Sequence, residues 1–157
     1  KIQVAARQFQ YYVLDVVRGR WTDLKRDQVI RETAAADAAK YGGRLSIWVE
    51  QEGGSGGLQS AQISLRELSG YKIKAEKVTR TTGSKENRPA KVVRAGPFAC
   101  QCEAGNVFFA QQPWLKPIWD EMLLFPLGKH DDQVDGLSGS FNQLALPGPK
   151  LSIEVYR

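Results

Sequence analysis

Three carboxylates, Asp131, Asp132 and Asp135, fall within five residues of one another in the run Phe125-Pro126-Leu127-Gly128-Lys129-His130-Asp131-Asp132-Gln133-Val134-Asp135-Gly136-Leu137. An apolar helical pattern begins at the same point. At 3.6 residues per turn the three aspartates occupy an arc of about 100° on one helix face, where like charges repel unless a cation sits among them. A divalent metal supplies such a charge. The competing reading is capping, because first-turn aspartates accept from free backbone N–H groups and meet the positive end of the helix dipole.

The remaining ligand types narrow the metal chemistry. His130 is the one histidine, and Cys100 and Cys102 are the two cysteines, too few for a zinc site or a disulfide framework. Any metal is therefore held by oxygen, which suits magnesium or manganese. The cysteines read as reduced thiols in a cytoplasmic setting.

The net charge of +5 is unevenly spread. Lys72, Lys74, Lys77, Arg80, Lys85, Arg88, Lys91 and Arg94 stand against only Glu76 and Glu86, so this one segment carries +6 and the rest of the chain −1. A basic stretch beside an acidic, metal-binding cluster is the layout of a protein that grips a polyanion and does chemistry on it, although charged runs are also common as solvated loops. No stretch approaches the ~18 apolar residues of a membrane span. No G-x-x-x-x-G-K-[ST] pattern supports ATP hydrolysis.

Several elements must position these groups. Ile2 to Arg7 and Tyr11 to Val17 read as a hairpin, and an alanine-rich helix runs from a Thr22 N-cap to Tyr41, ended by Gly42-Gly43. Leu45 to Val49 reads as a buried strand with Trp48 in the core. Glu50 and Glu52 follow it, then the run Gly53-Gly54-Ser55-Gly56-Gly57, best read as a close-approach turn at a strand's carboxyl end, where open α/β sheets place their sites. A helix over 58–68, a strand over 71–78, an exposed loop over 79–89 and a helix over 91–102 interrupted at Pro97 come next. A short strand at 107–110 and helices over 114–124 and 133–144 complete the chain, with Trp114, Trp119 and Phe125 read as core packing. Strands followed by strand–helix alternation indicate an α/β fold with a mixed sheet in one domain.

Five segments taken together resemble the nuclease domain of tailed-phage large terminase subunits, in order from about residue 11 to 145. They are Tyr11 through Arg20, Ile47-Trp48-Val49-Glu50-Gln51-Glu52-Gly53-Gly54, Lys91-Val92-Val93-Arg94-Ala95, Gly105-Asn106-Val107, and Phe125-Pro126 through His130-Asp131-Asp132-Gln133-Val134-Asp135. The resemblance implies a ribonuclease H-like fold, a mixed β-sheet flanked by helices. It implies an endonuclease, dependent on two Mg²⁺ or Mn²⁺ ions, that cuts concatemeric double-stranded viral DNA during packaging in the cytoplasm of the bacterial host. A terminase ATPase domain, the portal and the small terminase subunit are the partners it implies. By position, Glu50 resembles the family's acidic ligand at the end of a central strand, and Asp131, Asp132 and Asp135 its carboxyl-terminal acidic motif, with Asp132 and Asp135 favoured.

The family's leading ligand is an aspartate on the first strand of the sheet, and this chain carries no acid before Asp15. A nuclease domain over 1–157 without that strand and without the ATPase is the expectation, with Asp15 more fittingly a satisfied strand-end carboxylate than a substitute ligand. Glu50 and Asp132 are then direct ligands, Asp135 or Asp131 completes the set, and Arg80, Lys85, Arg88, Lys91 and Arg94 contact DNA backbone. His130 stands near enough in sequence to assist with phosphate or a proton, or to be an idle surface histidine. The rival functions are a Holliday-junction resolvase-like nuclease and a catalytically silent DNA-binding or docking module.

Overall fold

In the computed structural model, which describes residues 2–7, 10–51, 53–77 and 90–145, the chain forms two compact units, residues 1–18 with 83–157 and residues 19–82. The elements in chain order are β1 (Ile2–Arg7), β2 (Gln10–Val16), α1 (Asp23–Tyr41), β3 (Ile47–Gln51), α2 (Ser55–Glu67), β4 (Ile73–Lys77), α3 (Ala90–Glu103), β5 (Val107–Phe109), α4 (Leu115–Leu124) and α5 (Asp132–Ala145). A 3₁₀ turn at Gly42–Arg44 follows α1. The expected mixture of helices with mixed-direction strands is present, as two small sheets among the described residues.

In the first unit, aromatic and β-branched side chains make Gln10–Val16 a natural central strand. It pairs antiparallel with β1 across a bulge at Gln3/Val4 and parallel with β5, Tyr11 standing opposite Val107 and Val13 opposite Phe109. Val13 and Val16 point into a core completed by Phe98 of α3, Ile118 of α4, and Leu137 and Phe141 of α5. The Phe141 ring meets Tyr11 edge-on at 4.7 Å and Phe98 at 5.6 Å. Of the helices, α5 is the most deeply buried: Gln133, Val134, Leu137, Ser138, Gly139 and Phe141 form a stripe wider than a surface helix shows. Gly139 leaves room for the Arg94 guanidinium of α3, which a Cβ there would meet at 2.5 Å.

The second unit is a β–α–β crossover preceded by a long helix. Thr22 caps α1 by accepting from Lys25 N–H at 3.4 Å, and Gly42 ends it at a φ of 57°, as the residue types demand. Parallel strands β3 and β4 align Ile47 with Ile73 and Glu50 with Glu76. Among the described residues Ala34, Ala61 and Leu68 are its buried apolar ones, and Arg31 joins Glu67 at 2.7 Å between α1 and α2.

Three local expectations change. The strand β3 is not a buried one: Trp48 is 39% exposed, its ring lying under Lys74 Nζ at 5.2 Å. The glycine turn is shorter than expected, because α2 starts at Ser55 and takes Gly56 and Gly57 into its first turn, leaving Gly54 at a φ of 97° as the bend. Helix α3 runs unbroken through Pro97. The proline removes one backbone donor, whose acceptor four residues back belongs to exposed Val93, while buried Ala95 and Phe98 pin the helix on either side. Helices 58–68, 91–102 and 133–144 and strands 71–78 and 107–110 are otherwise found within a few residues, and the expected loop at 79–89 lies outside the described residues.

If the six-residue cluster is the core of the first unit, truncating its completely buried members leaves cavities that the sheet cannot fill. Ile118→Ala and Phe141→Ala are each expected to lose about 3–4 kcal/mol in urea unfolding; losses below about 1 kcal/mol would place the core elsewhere.

Candidate functional site

The head of α5 is built by a carboxylate from another helix. Glu121 of α4 is 8% exposed, and its Oε1 accepts from the backbone N–H groups of Gln133 at 2.6 Å and Val134 at 3.2 Å. Its Oε2 accepts from the Gln133 side-chain amide at 2.7 Å. These are free donors of a helix first turn, and an anion there also meets the positive end of the dipole. The Asp131 carbonyl accepts the first helical bond, from Asp135 N–H at 2.9 Å. Capping of these N–H groups, one of the two readings open to the aspartates, is thus carried by Glu121.

With that work done elsewhere, the aspartate side chains are left for other partners. Asp132 is exposed and makes no ion pair with a described residue, whereas Asp131 and Asp135 turn toward Lys91 in the first turn of α3. Lys91 Nζ lies 2.8 Å from Asp131 Oδ1 and 2.7 Å from Asp135 Oδ2. Hydrogen bonds to Asp131 first, and to Asp135 next, raise the lysine's pKa well above its ordinary value, so the ammonium stays charged. The like-charge crowding along Asp131–Asp135 therefore has its cation, and that cation is a lysine. Both partners are partly solvated, so each pair is worth at most about 1 kcal/mol.

Glu50 lies in the second unit, at the end of β3 and across from Glu76 on β4. With Arg26, Gly56, Gly57 and Ser60 it lines a cavity of about 240 Å³ beside the first turn of α2. This is the carboxyl end of a parallel strand, where the α/β rule puts a site. Arg26 is engaged there by Asp23 and Asp27, each at 3.1 Å.

The other sequence candidates divide. Arg94 is half-buried; its carbonyl accepts from Asn142 Nδ2 at 3.1 Å, which ties α3 to α5, and its guanidinium lies near Gly139. Arg80, Lys85, Arg88 and Glu52 lie outside the described residues. The Asp15 carboxylate accepts from Val16 N–H at 2.9 Å, the locally satisfied role expected for it. His130 is exposed. Trp114 packs on the core, whereas Trp119 is 41% exposed with its ring 4.9 Å from Phe109. Glu121 was not legible as functional, yet it bore a signal: with Ile118 and Met122 it falls on the i, i+3, i+4 stripe of an apolar helix, where a carboxylate needs donors waiting for it.

A resident divalent ion needs several open oxygens about one point. Among the described residues no group of three or more His, Cys, Asp or Glu side chains is placed to hold one. Within the acidic turn, Asp131 and Asp135 hold an ammonium, so as arranged the donor set does not fit a metal unless Lys91 leaves. No helix among the described residues is long and apolar enough to cross a membrane.

Removing the Glu121 carboxylate strands two backbone donors and the Gln133 amide in a buried place. Glu121→Ala is expected to cost about 2–4 kcal/mol in urea unfolding, and Glu121→Gln less than half of that because an acceptor remains; no change in either would show that the cap is idle. Burial pushes the Cys102 thiol up to about 11 from its ordinary 9.0. The unfolded chain then releases this proton at lower pH than the folded one, so the associated stability is complete below about pH 9 and is lost as pH rises toward 11. Iodoacetamide at pH 8 is accordingly expected to alkylate exposed Cys100 well before Cys102, and equal rates by mass spectrometry would contradict the burial. Comparison with protein-family models, with curated proteins and with solved structures returned no match to this chain.

Proposed function

We propose that this chain is a metal-dependent endonuclease domain of the phage terminase type, with a ribonuclease H-like fold, hydrolysing phosphodiester bonds of double-stranded DNA. The observation that carries the reading is the acidic turn at the head of α5: a buried cap holds it in place, Asp132 is exposed on it, and Lys91 of α3 stands directly beside it. Fixing carboxylates on a rigid element is what positional chemistry on a phosphate requires, and the α/β architecture is compatible with the resemblance.

Mg²⁺ or Mn²⁺, two ions in this reading, would be held by these carboxylates once Lys91 yields them, and would then supply activation of the attacking water and stabilisation of the leaving oxygen. The chain's own part is to present Asp132 with Asp131 and Asp135, to contribute Glu50 from the end of β3, and to attract the DNA backbone through the basic stretch that includes Arg80, Lys85, Arg88, Lys91 and Arg94. The ATPase domain, portal and small terminase subunit are partners in the same proposal, in the host cytoplasm. Pairing of Lys91 with two of the three aspartates favours a second reading, a DNA-binding or docking module that cuts nothing.

Plasmid nicking separates the two. With Mn²⁺ the protein is expected to convert supercoiled to open-circular DNA, and Asp132→Ala to lose at least about 100-fold of that rate. Salt-steep DNA binding with no nicking would sink the nuclease reading in favour of the docking module, and a preference for four-way junctions would move it to a resolvase.

A further inference from the structure

Lys91 stands in the first turn of α3, the positive end of that helix's dipole, where a lysine is disfavoured. What compensates is the pair of carboxylates 2.8 and 2.7 Å from its ammonium, which it reaches from a different helix, 40 residues away from Asp131 in sequence. The two helices are held together independently of this contact, through Asn142 Nδ2 on the Arg94 carbonyl and the Phe98 ring against Phe141 at 5.6 Å. The ammonium is therefore delivered to Asp131 and Asp135 at a high effective concentration and without further ordering of the backbone.

We propose that Lys91 is a built-in counter-ion that holds the Asp131–Asp135 pair, and that a divalent cation binds these carboxylates in competition with it. The proposal rests on the nuclease reading for why a divalent ion is needed; the competition itself follows from charge and geometry. The ammonium engages Asp131 Oδ1 and Asp135 Oδ2, so a divalent ion arriving at the same pair meets a like charge at close range and competes for those two oxygens, and its binding is weakened by that repulsion and by any ion pair it breaks. Lys91, assigned from sequence to the DNA backbone, becomes a positioning and metal-excluding residue of the acidic turn.

Calorimetric titration of MnCl₂ into the wild type, Lys91→Met, Lys91→Arg and the double variant Lys91→Met/Asp135→Asn tests this. Lys91→Met is expected to bind Mn²⁺ about tenfold more tightly than the wild type, Lys91→Arg to match the wild type, and the double variant to lose the gain. Lys91→Gln, which keeps a donor and loses only the charge, is expected to behave like Lys91→Met and serves if the latter does not fold. A Lys91→Met or Lys91→Gln protein that binds Mn²⁺ no more tightly than the wild type, or a gain that survives Asp135→Asn, overturns the proposal. Plasmid nicking on the same proteins keeps the two readings apart: a tenfold gain with no nicking upholds the counter-ion and refutes the nuclease, and nicking without the gain does the reverse.

Discussion

The first unit turns on the carboxylate of Glu121. It is a buried carboxylate on α4 that takes the second and third N–H groups of α5 and the Gln133 amide, so one side chain closes the helix end, joins two helices and satisfies polar groups that the core would otherwise strand. The most buried helix of the unit can begin beside the core because of it. Leu137 and Phe141 follow one and two turns later and complete the packing on Val13 and Phe98. The acidic turn inherits its position from the same contact.

Charge is then distributed by division of labour. Glu121 answers the helix dipole from inside, so Asp131, Asp132 and Asp135 are not consumed as caps. Two of them draw Lys91 across from α3, and the third is left to solvent. Repulsion among three aspartates on a 100° arc is thus relieved by a cation that the chain itself carries, held by pairs that are individually weak but geometrically supported by the α3–α5 packing.

The two units differ in how much apolar surface they enclose. Among the described residues the first covers its sheet with three helices and buries eight apolar side chains, whereas the second buries Ala34, Ala61 and Leu68 around a two-stranded parallel sheet and leaves Trp48 substantially exposed. Parallel strands ordinarily read as continuous apolar runs because both faces are covered. Ile47-Trp48-Val49 reads that way, which is why a buried strand was expected there. Exposure in this unit was decided by what packs on the strand, about which a run of five residues carries no information.

Much of the local structure was determined by residue type alone. The Thr22 cap, the Gly42 stop, the hairpin and the alternation of helix and strand follow from short-range sterics and hydrogen bonding, which depend on neighbours a few positions apart. The need for a cation at Asp131–Asp135 was legible for the same reason, since 3.6 residues per turn puts those charges together in any helix. Which cation answers it was not, because Lys91 lies 40 residues away and only the packing of α3 on α5 brings its ammonium there. Capping by Glu121 was hidden likewise: its sequence position announces a buried stripe, but the donors that make burial of a carboxylate tolerable belong to another helix. Local chemistry is written in spacing, whereas the partner of a charge is chosen by the fold, because electrostatic and hydrogen-bonding free energy depends on distance in space and on exclusion of water.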